Sequence, residues 1–328
     1  MIHYDTSYFQ GEVRDGFYVE EKMKRAWAAQ VEVLLEIKRI CEARGIPYFA
    51  DWGTLLGAVR HKGFIPWDDD LDIGMLRPDY MKFLAVAEDE LAPEFKVKSL
   101  YNNAGHDNVK ARVYTGESMN FDREYLERFH CCPYVVGVDI FPIDYIPRDE
   151  YKSGRQNKMI QLVMSAAASV SDELPLSDDT MELLQSVERM TGFKIDYTLR
   201  PVHELKKIVD ELSAMYTESE SDEVCSMIDL AMGWDYHAKK EWYEDWELMD
   251  FEQIKIPVPA GFDGILKIKY GSDYMTPVRG GSSHDYPFFG QQERGLKEVI
   301  ENTYNITLSQ EQLDQLIAEK IRLSITCY

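Results

Sequence analysis

The chain has 328 residues, 45% of them apolar and 12% aromatic, enough to bury a sizeable core in one large domain or two modest ones and too apolar for a disordered chain. Its 36 basic and 58 acidic residues give a net charge of −22, which argues against phosphate-driven nucleic-acid binding and against a polybasic membrane anchor. No apolar run approaches the ~20 residues of a membrane span, and the opening MIHYDTSYFQGEVRDG has neither a basic nor an apolar leader region, so no transmembrane segment and no signal peptide are expected.

Along the chain, apolar residues at helical spacing predict a helix over 18–44, stopped by Gly45. A short strand is expected at 46–50, a short helix at 55–60, a strand at 70–75 and a helix at 78–90 with Pro78 in its first turn. Strands follow at 95–100, 109–114 and 134–140, with a turn at Asn102-Asn103-Ala104-Gly105. Three helical patterns without intervening strand signals cover 149–171, 177–191 and 201–216. Strand-like residues return at 246–258, then a short helix at 262–270 and a last helix from 307 to about 321. This order predicts an α+β fold: a mixed sheet core with its N-terminal helix at 1–148, a helical insertion at 149–245 and a C-terminal segment at 246–328 that returns to the core. The five cysteines, Cys41, Cys131, Cys132, Cys225 and Cys327, show no CxxC spacing, which fits reduced thiols and a cytoplasmic location.

The chemistry concentrates in Gly53 to Gly74, GTLLGAVRHKGFIPWDDDLDIG. Four aspartates within five residues repel one another unless a cation compensates them. Alternation on a strand would put Asp68, Asp70 and Asp72 on one face and Asp69, Leu71 and Ile73 on the other. Carboxylates at this spacing suit a hard cation such as Mg²⁺ or Mn²⁺ completed by substrate phosphates. A solvated acidic loop is the plain alternative. A calcium-binding EF-hand counted from Asp68 would need Gly and Glu where Ile73 and Asp79 stand, so that reading fails. Gly53-Thr54 at a helix entry offers backbone N–H groups and a hydroxyl to a phosphate. Arg60, His61, Lys62, Lys110 and Arg112 are candidate diphosphate contacts. Lys267, Lys269, Tyr270, Arg279 and His284 form a basic-aromatic group in the C-terminal segment. Trp52, Trp67, Tyr134, Trp234, Trp242, Tyr243 and Trp246 invite an aromatic cage for a quaternary ammonium, although aromatics at such spacing are more often core.

The run WGTLLGAVRHKGFIPWDDDLDIGM resembles the signature of the LicD family of phosphotransferases, to which fukutin-type proteins are related. VKARVYTGES at 109–118, GVDIFPID at 137–144 and KYGSDYMTPV at 269–278 follow in the family's order, and the helical middle matches least. The resemblance implies a nucleotidyltransferase-like fold. It also implies transfer of a phospho-alcohol, phosphocholine or a polyol phosphate, from a CDP-activated donor to a glycan, with release of CMP. It makes Asp70 and Asp72 the metal pair, Asp139 the third catalytic carboxylate, Asp68 a supporting group, and Gly53 and Thr54 the phosphate turn.

Two other readings stay open: a nucleotidyltransferase moving NMP from an NTP to a small molecule or protein, and a non-catalytic glycan-binding protein. The acceptor would be a glycan or lipid-linked glycan of teichoic acid, lipopolysaccharide or capsule type. A lipid-linked acceptor would require a peripheral contact at the inner face of the membrane.

Overall fold

A computed structural model describes residues 1–280 and 286–325. A hairpin of β1 (Glu12–Arg14) and β2 (Phe17–Val19) precedes α1 (Glu21–Arg44). That helix ends where Gly45 takes φ 61°, a left-handed conformation that glycine adopts without a Cβ penalty. Then come β3 (Phe49–Ala50), α2 (Trp52–Arg60), β4 (Leu71–Leu76) and α3 (Arg77–Glu90). β5 (Lys96–Lys98), β6 (Ala111–Tyr114), α4 (Arg123–Arg128) and β7 (Gly137–Pro147) complete the first half.

The middle holds α5 (Glu150–Ser169), α6 (Asp178–Thr191) and α7 (Pro201–Ser213), then β8 (Ser221–Cys225), α8 (Met227–Ala231) and β9 (Ala238–Lys239). The chain finishes with the hairpin β10 (Trp246–Phe251) and β11 (Ile254–Pro259), α9 (Phe262–Tyr270), α10 (Phe289–Tyr304) and α11 (Gln310–Ser324). No described helix is long and apolar enough to cross a membrane.

The central sheet runs β3-β4-β7-β6-β5, and β8 and β9 extend it from β7. Among the described residues of this sheet only β4 and β7 pair in parallel, and the other neighbours pair antiparallel. This mixed sheet flanked by helices is the α+β, nucleotidyltransferase-like architecture read from the sequence. β7 is the hinge of the design. Its first half lies between β4 and β6, and its second half, from Asp144 on, pairs with β8. As the sequence reading had it, no described strand lies between α5, α6 and α7, but β8 and β9 follow α7 within the 149–245 segment read as a helical insertion. β8 is polar at Ser221, Asp222 and Glu223 and carries no alternating apolar signal.

Two large apolar clusters result, beside a small third one of Tyr4, Phe9 and Ala28. The larger joins α1, through Trp27, Val31, Leu34 and Ile37, to the sheet residues Leu71, Ile73, Val113, Val138 and Ile140. The smaller packs Ile160, Val163, Leu184, Leu205, Ile208 and Leu212 of the middle helices onto Ile146 and Met227. Between the clusters lies a buried charge network. Arg77 pairs bidentately with Asp144 (Nε–Oδ1 2.6 Å, Nη2–Oδ2 3.0 Å) and with Asp210 of α7 (2.9 Å). Cys41, Cys132 and Cys225 are free and buried as expected, but Cys131 is disulfide-bonded, which corrects the expectation that every thiol is reduced.

Candidate active site

The aspartate run is positioned before any metal chemistry is invoked. On α1, the Trp27 indole N–H donates to Asp68 O (3.1 Å) and the Gln30 amide to Asp69 O (2.7 Å), so the helix fixes the backbone of the run. β4 begins only at Leu71. Strand alternation therefore does not govern Asp68, Asp69 and Asp70, which sit in the connection leading to the strand, and that part of the sequence reasoning is corrected. Their carboxylate oxygens come within 4.8 Å of one another, Asp69 included. Asp69 is nonetheless turned inward, where its Oδ2 accepts from the Phe288 N–H just before α10.

Asp72 reaches the site by another route. Parallel pairing sets it directly opposite Asp139, and antiparallel pairing sets Arg112 opposite the same Asp139. Lys110, immediately before β6, places Nζ 2.6 Å from Asp139 Oδ2, with Arg112 Nε 3.7 Å from Oδ1. Asp72 Oδ1 and Asp139 Oδ1 are buried without a hydrogen-bond partner among the described residues.

Crowding and burial favour the protonated forms of Asp68 and Asp72. Burial, then the charge of Asp70 and a hydrogen bond with it, push the Asp68 carboxyl up to about 8. Burial, then Asp70 and Asp139, push Asp72 well above the usual carboxylate range. Burial alone would lower the Lys110 ammonium, but the charges of Asp139 and Asp72 outweigh it and raise its pKa. Mutually destabilised carboxylates with unpartnered buried oxygens are a donor set that fits a divalent oxygen-loving cation.

Gly53 and Thr54 lie in the first turn of α2, whose N-cap Asp51 accepts from the Trp52 N–H (2.8 Å). A Cβ on Gly53 would meet Asp68 Oδ2 at 2.2 Å, so glycine is what lets the helix approach the carboxylate. Thr54 is buried, and its Oγ1 accepts from the Asp72 N–H (2.9 Å). Thr54 thus ties α2 to the strand carrying Asp72 and is not among the cleft-lining residues, in contrast to its expected part in a phosphate turn.

Gly53, the clustered aspartates, Asp139, Lys110 and Arg112 line one cleft of about 1350 Å³. Arg60 and Tyr270 reach it, and Arg60 donates to Tyr274 O (2.7 Å). Burial, then the charges of Asp51, Asp68 and Asp72, raise the Tyr270 phenol. Lys267 does not reach the cleft: it is exposed on α9 and paired with Asp263 (2.6 Å). Lys269, one helical step away, points inward instead, pairing with Asp51 and standing 3.8 Å over the Trp52 ring. Arg279 lies between Phe17 and Trp67, 5.5 and 5.6 Å from their ring centres, and is not among the cleft-lining residues. His284 lies outside the described residues.

Of these aromatics, Trp52, Trp67 and Trp234 line the cleft. Trp52 and Trp234 form a continuous aromatic wall with Phe141 and Tyr236, Trp52 lying 6.2 Å from Phe141 and 5.7 Å from Tyr236. Tyr134 and Tyr243 are core, Trp67 packs on Phe17 and His61, and Trp246 is exposed on β10. Trp242 lies against Gly261 and Gly264. Sequence reading missed Tyr236, Lys98, His106 and Arg294 as cleft residues. They come from a strand, a helix and two connections far apart in the chain, with no local motif to mark them.

The sequence model of the LicD/FKTN/FKRP nucleotidyltransferase domain matches residues 45–161, the stretch that carries all four clustered aspartates and Asp139. The chain is also 28% identical over 242 residues to the lipopolysaccharide cholinephosphotransferase LicD of Haemophilus influenzae, covering 72% of this chain and 84% of that protein. Residues 45–161 thus match a LicD-type nucleotidyltransferase domain, and the chain as a whole is similar to a LicD phosphotransferase. Over 40 residues it is 48% identical to the human ribitol 5-phosphate transferase FKRP, a match covering 12% of this chain and 8% of that one. A Rickettsia typhi protein is 40% identical over 65 residues, 20% of this chain and 19% of its own length. The match to the LicD/FKTN/FKRP domain model takes in α2, β4 and the whole of β7, the three elements that bring Gly53, Asp72 and Asp139 together.

Proposed function

We propose that this protein is a LicD-type, metal-dependent phosphotransferase that moves a phospho-alcohol from a CDP-activated donor to a hydroxyl of a cell-surface glycan. The products are CMP and the phosphodiester-modified glycan. The observation that carries the reading is the register pairing of Asp72 with Asp139, each with an unpartnered buried oxygen, beside Lys110 and Arg112. The similarity to a lipopolysaccharide cholinephosphotransferase and a ribitol 5-phosphate transferase supports a glycan acceptor of lipopolysaccharide, teichoic acid or capsule type and either phosphocholine or a polyol phosphate as the group moved.

Asp70 and Asp72, with Asp68 beside them and Asp139 opposite, are the residues that would hold Mg²⁺ or Mn²⁺. The bound cation would neutralise the donor's diphosphate as the bond between its phosphorus atoms' bridging oxygen and the transferred phosphorus breaks. Lys110 and Arg112 bind the phosphate oxygens, and Arg60 adds a further cation to the cleft lining. Asp139 Oδ1 accepts the proton of the attacking glycan hydroxyl, whose oxygen forms the new bond to phosphorus, and CMP leaves. The aromatic wall from Trp52 to Trp234 offers flat faces to the donor. Because charge dominates the transition state, placement of these groups supplies most of the rate.

With a helical middle available for a peripheral contact, a cytoplasmic protein acting at the inner membrane face fits this chemistry. The test is a panel of CDP-alcohols offered with Mg²⁺ or Mn²⁺ and a glycan acceptor. CMP release supports the reading, whereas pyrophosphate release from an NTP would favour the nucleotidyltransferase alternative.

A further inference from the structure

Lys110 is held from the middle helices. Residues 101–110, between β5 and β6, have no strand structure, and side chains of α7 and its N-cap bond two of their backbone carbonyls and the Tyr101 hydroxyl. Arg200 donates to Gly105 O (3.0 Å), and Asp210 accepts from the Tyr101 hydroxyl. His203, 3% exposed, places Nδ1 2.7 Å from His106 O. The His106 ring in turn places Nε2 2.8 Å from Lys110 O. Both acceptors are carbonyl oxygens, so His203 donates from Nδ1 and His106 from Nε2. The relay ends where Lys110 Nζ meets Asp139 Oδ2 at 2.6 Å.

We propose that His203 and His106 are positioning residues for the transfer reaction, setting Lys110 against Asp139 through this relay and making α7 a working part of the active site. Neither imidazole needs to touch substrate. His203 grips the backbone of residue 106, and His106 grips the backbone of residue 110, so the ammonium enters the cleft at one fixed place. Slack in either bond lets Lys110 leave Asp139, and a misplacement of about 1 Å at a charged contact costs about a hundredfold in rate. The inference rests on the phosphotransferase reading only in assigning Lys110 to the donor's phosphates; the placement of Lys110 can be tested without turnover.

The test is competitive acetylation of the lysines with acetic anhydride, read by mass spectrometry in the full-length protein, with exposed Lys255 as reference. His203→Ala and His106→Ala should raise the acetylation of Lys110 at least threefold relative to Lys255. His203→Asn and His106→Gln, which can keep the N–H donor, should return it to near the wild-type rate. Should the alanine variants fail to fold, Arg200→Gln, at the partly exposed end of the same clamp, decides. Unchanged Lys110 reactivity in folded variants overturns the proposal whether or not the protein turns over a CDP-alcohol. In an enzyme that does release CMP, His106→Ala should lower kcat/KM for the donor at least tenfold, and the His106→Ala, Lys110→Ala double variant should be within twofold of Lys110→Ala alone. Losses that multiply would instead assign His106 a role independent of Lys110.

Discussion

Asp72 and Asp139 face each other in register across the only parallel strand pair in the described sheet, and each keeps one buried carboxylate oxygen without a hydrogen-bond partner among the described residues. Two such groups side by side destabilise the metal-free protein. Asp72→Asn or Asp139→Asn should therefore lower metal-dependent turnover by about 10²-fold or more, as should Asp70→Asn. The thermal midpoint should stay level or rise for Asp70→Asn and Asp72→Asn, because removing charge relieves the repulsion. Kinetics and calorimetry on the same preparations check both halves; full activity in these variants would remove the carboxylates from the mechanism.

Gly53 and Thr54 should separate in effect. Gly53→Ala pushes a methyl into Asp68 Oδ2, so turnover and metal affinity should fall while stability changes by less than about 1 kcal/mol. Thr54→Val leaves the buried Asp72 N–H without its acceptor and should cost about 1–3 kcal/mol of stability along with activity. Denaturant midpoints and CMP release on both variants make the comparison.

Metal binding should depend on pH. The Asp68 carboxyl, raised from 3.8 to about 8, carries a proton at pH 7 that a cation must displace. Mg²⁺ affinity should rise about tenfold per pH unit towards about pH 8 and then level off. The folded pKa lies above the unfolded one, so the native state binds more protons, and the metal-free protein should lose stability as pH rises from about 4 to about 8. Isothermal titration in buffers of different ionisation enthalpy would detect the released proton. An affinity that is flat from pH 6 to 8 would contradict the shift.

Arg77 should prove a stability residue. Its removal leaves Asp144 and Asp210 buried and unpaired, so Arg77→Ala should cost about 3–5 kcal/mol, measured by urea unfolding.

What the sequence disclosed follows from the range of the interactions. The Asp68–Asp72 cluster, α9 at its observed bounds and the run of α5, α6 and α7 were legible, because each is encoded by neighbours a few residues apart. Long-range pairing was less so. The motif GVDIF marked Asp139, but only the β4–β7 register shows that it stands opposite Asp72. Lys267 and Lys269 look equivalent in KIKY; the helix sends one to Asp263 and the other to Asp51. The part played by Thr54 was misread because a hydroxyl in a helix's first turn can face a phosphate or a strand, and local sequence does not distinguish them. The two-histidine relay to Lys110 joins residues about a hundred positions apart and has no motif at all.

The measurement that bears most directly on the central claim is CMP release from a panel of CDP-choline, CDP-ribitol and CDP-glycerol, with a glycan acceptor and Mg²⁺, before and after chelation. The account predicts CMP from at least one donor, loss of that product on chelation, and loss again in Asp72→Asn. CMP release that survives both chelation and the substitution would contradict a metal-dependent transfer at the Asp72–Asp139 pair.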